Sequence, residues 1–183
     1  MCYLETAKYI HIGISGSIHH KWVDPVRARA LFFEHIDLLI MEDQRLSSAP
    51  ICIHSGESDK GGIDTWAKEY AIDRGLKFIP HPPDFVRYSR PKAYYVRNTE
   101  LVRAVGWLYA FLAPSESTDI KSRSGTMMTV REAIKQGDSV FVHTLVGDTL
   151  EGNNKIRFGG FRLIWKKLSW LEGWTENIKR NPF

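Results

Sequence analysis

The strongest constraint on how this chain folds is an alternation of short apolar runs with segments of helical periodicity, each switch marked by glycine, serine or proline. Residues from Tyr9 read Tyr-Ile-His-Ile-Gly-Ile and then close with Ser15-Gly16-Ser17, the pattern of a buried strand running into a loop. Asp24 and Pro25 form a helix start, an N-cap followed by a first-turn proline, and Val26, Ala30, Phe33, Ile36 and Ile40 recur at helical spacing behind them. The same sequence of events repeats. Ile51-Cys52-Ile53-His54 enters Ser55-Gly56, and a loop with Gly61-Gly62 leads to Asp64, which is expected to cap a helix through Ala67, Tyr70 and Ala71 that stops at Gly75. Lys77 to Ile79 forms a third strand, ended by His81-Pro82-Pro83. A helix opening at Asn98 and stopping at Gly106 is expected next, then a fourth strand from Trp107 to Leu112.

Ala113 to Arg123 is a polar stretch with the composition of a mobile loop or lid. Ser124-Gly125-Thr126 starts another helix, through Met127, Val130 and Ile134 to Gly137, and Ser139 to Val142 is the fifth strand. Strands alternating with helices predict an α/β fold: a Rossmann-like three-layer arrangement with a central, mostly parallel sheet of five or slightly more strands and helices on both faces. The alternation stops after His143. The chain therefore divides into residues 1–143, the α/β domain, and 144–183, a loop and one amphipathic helix carrying Phe161, Leu163, Ile164, Trp165, Leu168 and Leu171 that packs on the domain or on a partner subunit.

Charge is informative only once located. The net charge of +4 resides entirely in residues 151 to 183, where seven Lys or Arg face three Glu; the first 150 residues are neutral. A nucleic-acid footprint would belong to this basic tail, in which Trp165, Trp170 and Trp174 accompany Lys166 and Lys167; the commoner role of such a set is an apolar face against the core or a dimer partner. No segment reaches the roughly 18 uninterrupted apolar residues of a membrane span, and the first residues lack the apolar block of a signal peptide, so a cytoplasmic protein without membrane contact is expected. The two cysteines, Cys2 and Cys52, provide neither a disulfide framework nor a thiolate metal site, and Cys52 reads as a small core residue. His19, His20, His54, His81 and His143 fall near strand ends, but none has paired ligand spacing, so no metal is expected.

In an open parallel sheet, ligands bind beyond the carboxyl ends of the strands. Three loops at that edge have suitable residues: Ser15-Gly16-Ser17; Ser55-Gly56 through Gly61, Gly62 and Asp64; and Ser124-Gly125-Thr126. Each offers glycine for close backbone approach, hydroxyl donors, and helix-start amides whose partial positive charge favours phosphate. Arg97 beside Asn98 adds a donor fork suited to phosphate at the expected start of its helix. Together these residues predict a nucleotide or NAD-derived ligand, with no cofactor beyond it, that is sensed, carried or sequestered. Asp64 and Glu132 are the candidate catalytic carboxylates if the ligand is turned over.

The motifs Gly61-Gly62-Ile63-Asp64, Trp66-Ala67, Ala71, Gly75, Arg97-Asn98, Ser124-Gly125-Thr126, Ala133, Gly137 and Val140-Phe141-Val142 occur in an order that resembles the SLOG superfamily, over about residues 9 to 143. That superfamily joins the DprA (Smf) DNA-processing proteins, the LOG cytokinin-activating phosphoribohydrolases and the YpsA-like nucleotide binders. The resemblance implies a Rossmann-like fold whose glycine-rich loops grip nucleotide phosphate and sugar. LOG enzymes carry Gly-Gly-x-Gly-Thr followed within three residues by a glutamate that works on the ribose. Here Thr126 precedes Met127, Met128 and Thr129, and the first acid, Glu132, comes a turn too late. The likeness to DprA is closer around Gly62-Ile63-Asp64 and Ser124-Gly125-Thr126, but the chain has no room for flanking modules and its sheet region is neutral. A stand-alone YpsA-like domain fits best, forming a homo-oligomer through its tail. An enzyme acting on an N-glycosidic bond, of the phosphoribohydrolase or deoxyribosyltransferase kind, and a DprA-like single-strand binder are the alternatives.

Overall fold

A computed structural model describes residues 9–46, 49–147, 156–163 and 178–179. Its strands are β1 (Ile10–Gly16), β2 (Ile51–Ser55), β3 (Lys77–Pro80), β4 (Trp107–Leu112), β5 (Ser139–Gly147), β6 (Ile156–Leu163) and β7 (Ile178–Lys179). Its helices are α1 (Pro25–Leu46), α2 (Ile63–Asp73), α3 (Arg90–Arg103) and α4 (Gly125–Gln136). The strands form one sheet in the order β3-β2-β1-β4-β5-β6-β7. The first five are mutually parallel, as the alternating pattern predicts, and β6 and β7 extend the sheet in antiparallel pairing.

Period-two alternation divides the sheet between two cores. Ile12 and Ile14 of β1, Ile51 and Ile53 of β2, and Tyr109 and Phe111 of β4 pack with Phe32 and Ile36 of α1 and Trp66 and Tyr70 of α2. The intervening Leu108, Ala110 and Leu112 of β4 and Val140 and Val142 of β5 pack with Leu101 and Val102 of α3 and Met127, Val130 and Ala133 of α4. Helices therefore cover both faces. Gly13 of β1 permits the second layer to come close, since a Cβ there would meet Leu101, Val105 and Leu108 at 3.1 Å.

The helix ends follow local chemistry. The Asp24 side chain accepts from the Arg27 backbone amide at 3.0 Å ahead of Pro25, as expected. Ser124 caps α4 by accepting from the Met127 amide at 3.2 Å, and Gly137 ends the helix with φ of 85°. Four expectations need correction. The buried stripe of α1 is Ala28, Phe32, Ile36, Leu39 and Ile40, while Val26 is 82% exposed. Helix α3 begins at Arg90, with Ser89 as its N-cap and Pro91 in its first turn, so Asn98 lies inside it. The N-cap of α2 is Gly62, at φ of 89°, and Asp64 stands two residues further in, as the second residue of the helix.

The fourth concerns the tail. Strand β5 runs on to Gly147 and turns back into β6, pairing Gly147 with Ile156 and Val140 with Leu163, where a loop is expected. Phe161 and Leu163 are thus strand residues, and the remainder of the expected amphipathic helix, Ile164 to Leu171, lies outside the described residues. The run Phe158-Gly159-Gly160-Phe161 is compatible with either period, and pairing with β5 decides for the strand.

Helix α1 is tied to β5 by two imidazoles, His35 Nε2 and His143 Nδ1, 3.0 Å apart. Burial lowers the His35 pKa to about 4 from 6.5, and burial followed by the charge of His35 lowers His143 further below the usual range. An unfolded chain binds protons that this folded pair refuses, so stability falls as pH drops from 6.5 towards 4. Urea unfolding across that window is expected to show the decline, and His143→Phe is expected to flatten it by about 1.4 kcal/mol per pH unit.

Candidate functional site at the carboxyl edge of the sheet

Strand order places a topological switch between β1 and β4. The chain leaves β1 for α1 and β2 on one side, and leaves β4 for α4 and β5 on the other, so the two loops diverge at the place where ligands of open parallel sheets bind. Ser17 lies at this switch. Its amide donates to the Phe111 carbonyl at 2.9 Å, its hydroxyl accepts from the Ala113 amide at 2.8 Å, and the same hydroxyl donates to the Glu116 carboxylate in a short hydrogen bond. On the α4 side, Ser124 satisfies the third amide of the helix. The first two, of Gly125 and Thr126, have no acceptor within the helix, and a Cβ on Gly125 would meet nothing within 4 Å.

The other glycines serve internal packing. A Cβ at Gly16 would lie 2.5 Å from the Phe111 carbonyl oxygen and 2.6 Å from Ile63 Cγ1, and one at Gly62 would lie 2.4 Å from the Ser17 carbonyl oxygen. The Ile63 amide donates to that Ser17 carbonyl at 3.1 Å. The first two loops are therefore brought together, but they close on each other. The third reaches the same edge because it follows the parallel strand β4. Gly61, at φ of 65°, has only the Cβ of His19 near its own Cβ position, at 3.5 Å.

Over the end of β2 the edge is bridged by an ion pair. Arg97 of α3 reaches across from one helical layer to Asp64 of α2 in the other, Nη1 to Oδ2 at 3.0 Å, and the two residues are only 8% and 5% exposed. Gly56 makes the passage, since a Cβ there would sit 1.0 Å from Arg97 Nη1. The Ser55 hydroxyl donates to the Ile14 carbonyl at 2.8 Å and lies 3.4 Å from Asp64 Oδ1, and the Ser58 amide also donates to Asp64. Burial raises the Asp64 pKa, with Arg97 and these donors opposing it. Arg97 and Asp64 thus consume each other's charge, where sequence places them at two helix starts facing a ligand. Ser15, at the end of β1, and Thr126, at the start of α4, are buried, as is Asn98 in the interior of α3.

Glu132 lies two turns into α4, hydrogen-bonded by Gln136 at 3.4 Å and 3.7 Å from Lys135, away from the helix start. The carboxylate that does stand beside Ser17 is Glu116, which sequence reasoning passed over because an isolated glutamate in a polar loop has no periodic signal. The loop itself is held in place: Arg131 Nη1 donates to the carbonyls of Ile120 and Ser122 at 2.5 and 2.6 Å, where composition suggested a mobile lid.

Histidines divide into unrelated groups. His19 and His20 are exposed on a 3-10 turn, and His143 pairs with His35. His54 lies between His11, at 2.7 Å, and His81, at 2.9 Å, with Cys52 Sγ 3.7 Å away. Burial, reinforced by His81, His11 and Lys77, lowers the His54 pKa to about 3. The ligand-type atoms of His11, Cys52 and His54 lie within 4.8 Å of one another. This grouping is invisible to linear spacing because register across parallel strands, His11 opposite Cys52, creates it. The tryptophans and lysines of the tail, Trp165, Lys166, Lys167, Trp170 and Trp174, lie outside the described residues.

No protein-family model matches the chain, and no curated protein sequence matches it. Among the described residues no helix is long and apolar enough to cross a membrane.

The ion pair is the feature of this edge most open to direct test. Arg97→Met leaves Asp64 buried without its cation and is expected to cost about 3–5 kcal/mol in urea unfolding. Adding Asp64→Leu is expected to restore most of that loss; equal stability of Arg97→Met and the parent would show that the pair does not join the layers.

Proposed function

We propose that the protein binds a nucleotide or nucleotide-derived ligand in the crevice between β1 and β4, holding it for sensing, transport or sequestration. The observation that carries this reading is the pairing of an open helix start with a hydroxyl–carboxylate couple at the switch point. The Gly125 and Thr126 amides of α4 suit a phosphate oxygen, through hydrogen bonding and the partial positive charge of the helix start. Glu116 accepts the Ser17 hydroxyl, and a sugar hydroxyl is the chemical equivalent that would replace or join it. Anion at one end and diol at the other describe a nucleoside phosphate or an NAD-derived molecule. The likeness to the SLOG superfamily supports the same assignment.

The site differs in composition from the one that sequence alone suggests. Gly125, Thr126, Ser17 and Glu116 form it, whereas Gly16, Gly56, Gly62, Asp64 and Arg97 build the edge on which it rests. A second reading, turnover at an N-glycosidic bond, is favoured by Glu116, a carboxylate beside the position proposed for the sugar. Incubation with nucleoside monophosphates decides that point: release of free base abolished by Glu116→Gln supports turnover, and no release at high protein concentration dismisses it.

For binding itself, calorimetry against a panel of nucleoside mono-, di- and triphosphates and NAD derivatives is the primary measurement. Gly125→Glu sets a negative charge at the proposed phosphate position in open space, where an acidic first-turn residue suits the helix. It is expected to leave thermal stability unchanged or slightly higher and to weaken the best ligand at least tenfold. Unchanged affinity in this variant, or no binding across the panel, rejects the assignment.

A further inference from the structure

A second group of chemically capable side chains lies away from the β1–β4 crevice, on strands β1 and β2. Ile10, Ile12 and Ile14 of β1 and Ile51 and Ile53 of β2 face the α1–α2 layer, so the alternate residues His11, Cys52 and His54 face the layer that contains α3. Each of these three offers one ligand atom, and the three atoms lie within 4.8 Å of one another. Zn–S and Zn–N bonds of about 2.3 and 2.0–2.1 Å place the ligand atoms of a tetrahedral ion roughly 3.3–3.6 Å apart. Cys52 Sγ is already 3.7 Å from His54 Nε2, so small side-chain rotations bring the set to coordination distance.

Two further observations point to an ion. His11 Nε2 is buried without a hydrogen-bond partner, so the pairing of this cluster is incomplete as it stands. His54 has the support that a ligating imidazole uses: its Nδ1 lies 2.9 Å from His81 Nε2, which fixes the ring and leaves Nε2 for the ion. The donor set of two imidazoles and one thiolate selects a borderline-soft cation over magnesium or calcium. Burial raises the Cys52 pKa and Lys77, opposite it on β3, only partly offsets this while working against a cation; burial lowers the His81 pKa, with Glu100 and Arg97 acting on it with opposite signs.

We propose that His11, Cys52 and His54 form a zinc site on the α3 side of the sheet, with His81 as the hydrogen-bond partner that orients His54. Three protein ligands leave a fourth position for a solvent molecule, and His11 is the partly exposed member of the set. Binding displaces two hydrogens from their present places: the Cys52 thiol proton leaves to solvent, and the hydrogen between His11 Nδ1 and His54 Nε2 passes to the other nitrogen of the ring that carries it, His11 Nε2 or His54 Nδ1, so that both imidazoles stay neutral.

The full chain, stripped with a chelator, is titrated with zinc in competition with a chromophoric chelator, and separately with cobalt(II). The expected result is one zinc per chain with Kd below about 1 μM. Cobalt is expected to give a thiolate-to-metal charge-transfer band together with tetrahedral d–d bands. Cys52→Ser is expected to abolish the charge-transfer band and weaken zinc at least tenfold, and His81→Gln to weaken zinc about 10–100-fold with the band retained. Wild-type protein without stoichiometric zinc uptake or without the cobalt band overturns the site, as does unchanged zinc affinity in folded Cys52→Ser. Uptake of copper(I) alone overturns the zinc assignment. Should Cys52→Ser fail to fold, His11→Ala, at a partly exposed position, takes its place: unchanged zinc affinity in that variant overturns the proposal.

Discussion

The carboxyl edge of this sheet is organised around the buried pair between Asp64 and Arg97. Each residue belongs to a different helical layer, and their contact passes over the end of β2 through the space left by Gly56. Neither charge could remain in so dry a place without the other, because the cost of desolvating a lone carboxylate or guanidinium exceeds what packing supplies. With both present, α2 and α3 are fixed relative to β2, and the Ser55 and Ser58 donors complete the carboxylate's shell. The first-loop backbone then lies against Gly62 and Ile63, and Ser17 is set where it can reach Ala113 and Glu116. The loop between β1 and α1 thus rests on the element that the charge pair holds.

This arrangement separates two uses of glycine that look alike in a sequence. At Gly16, Gly56 and Gly62 the missing side chain lets the protein approach itself, and any ligand would compete with atoms already there. At Gly125 the missing side chain leaves open space before a helix start. A glycine-rich loop therefore signals close approach without revealing what approaches.

Much of the architecture was legible for physical reasons that act locally. Trp107–Leu112 as a strand, Ser124 as a cap and Gly137 as a stop follow from apolar runs and capping chemistry that need no distant partner. The start of α3 is not marked in the sequence because the apolar residues Ala93 to Val96 form one contiguous run without helical spacing, and burial of Ala93 and Arg97 by tertiary packing sustains a helix that periodicity alone does not mark. Strand β6 was missed because its pairing partner, the extension of β5, is itself long-range. In the candidate site, Ser17, Gly125 and Thr126 were visible as turn and cap residues. Glu116 and the His11–Cys52–His54 grouping depend on loop path and strand register, which leave no trace in spacing.

The margins of the sheet have a consequence for self-association. On one side β3 is a four-residue strand ending in Pro80, which lacks an amide to offer an incoming strand, with Lys77 at its start. On the other, β6 covers the edge of β5 from Val140 to Gly147. Backbone augmentation by a second chain finds little to grip at β3 or β5; among the described residues β7 pairs with β6 only at Arg162 and Leu163, so the strand edge left for an incoming chain is that of Ile156 to Phe161.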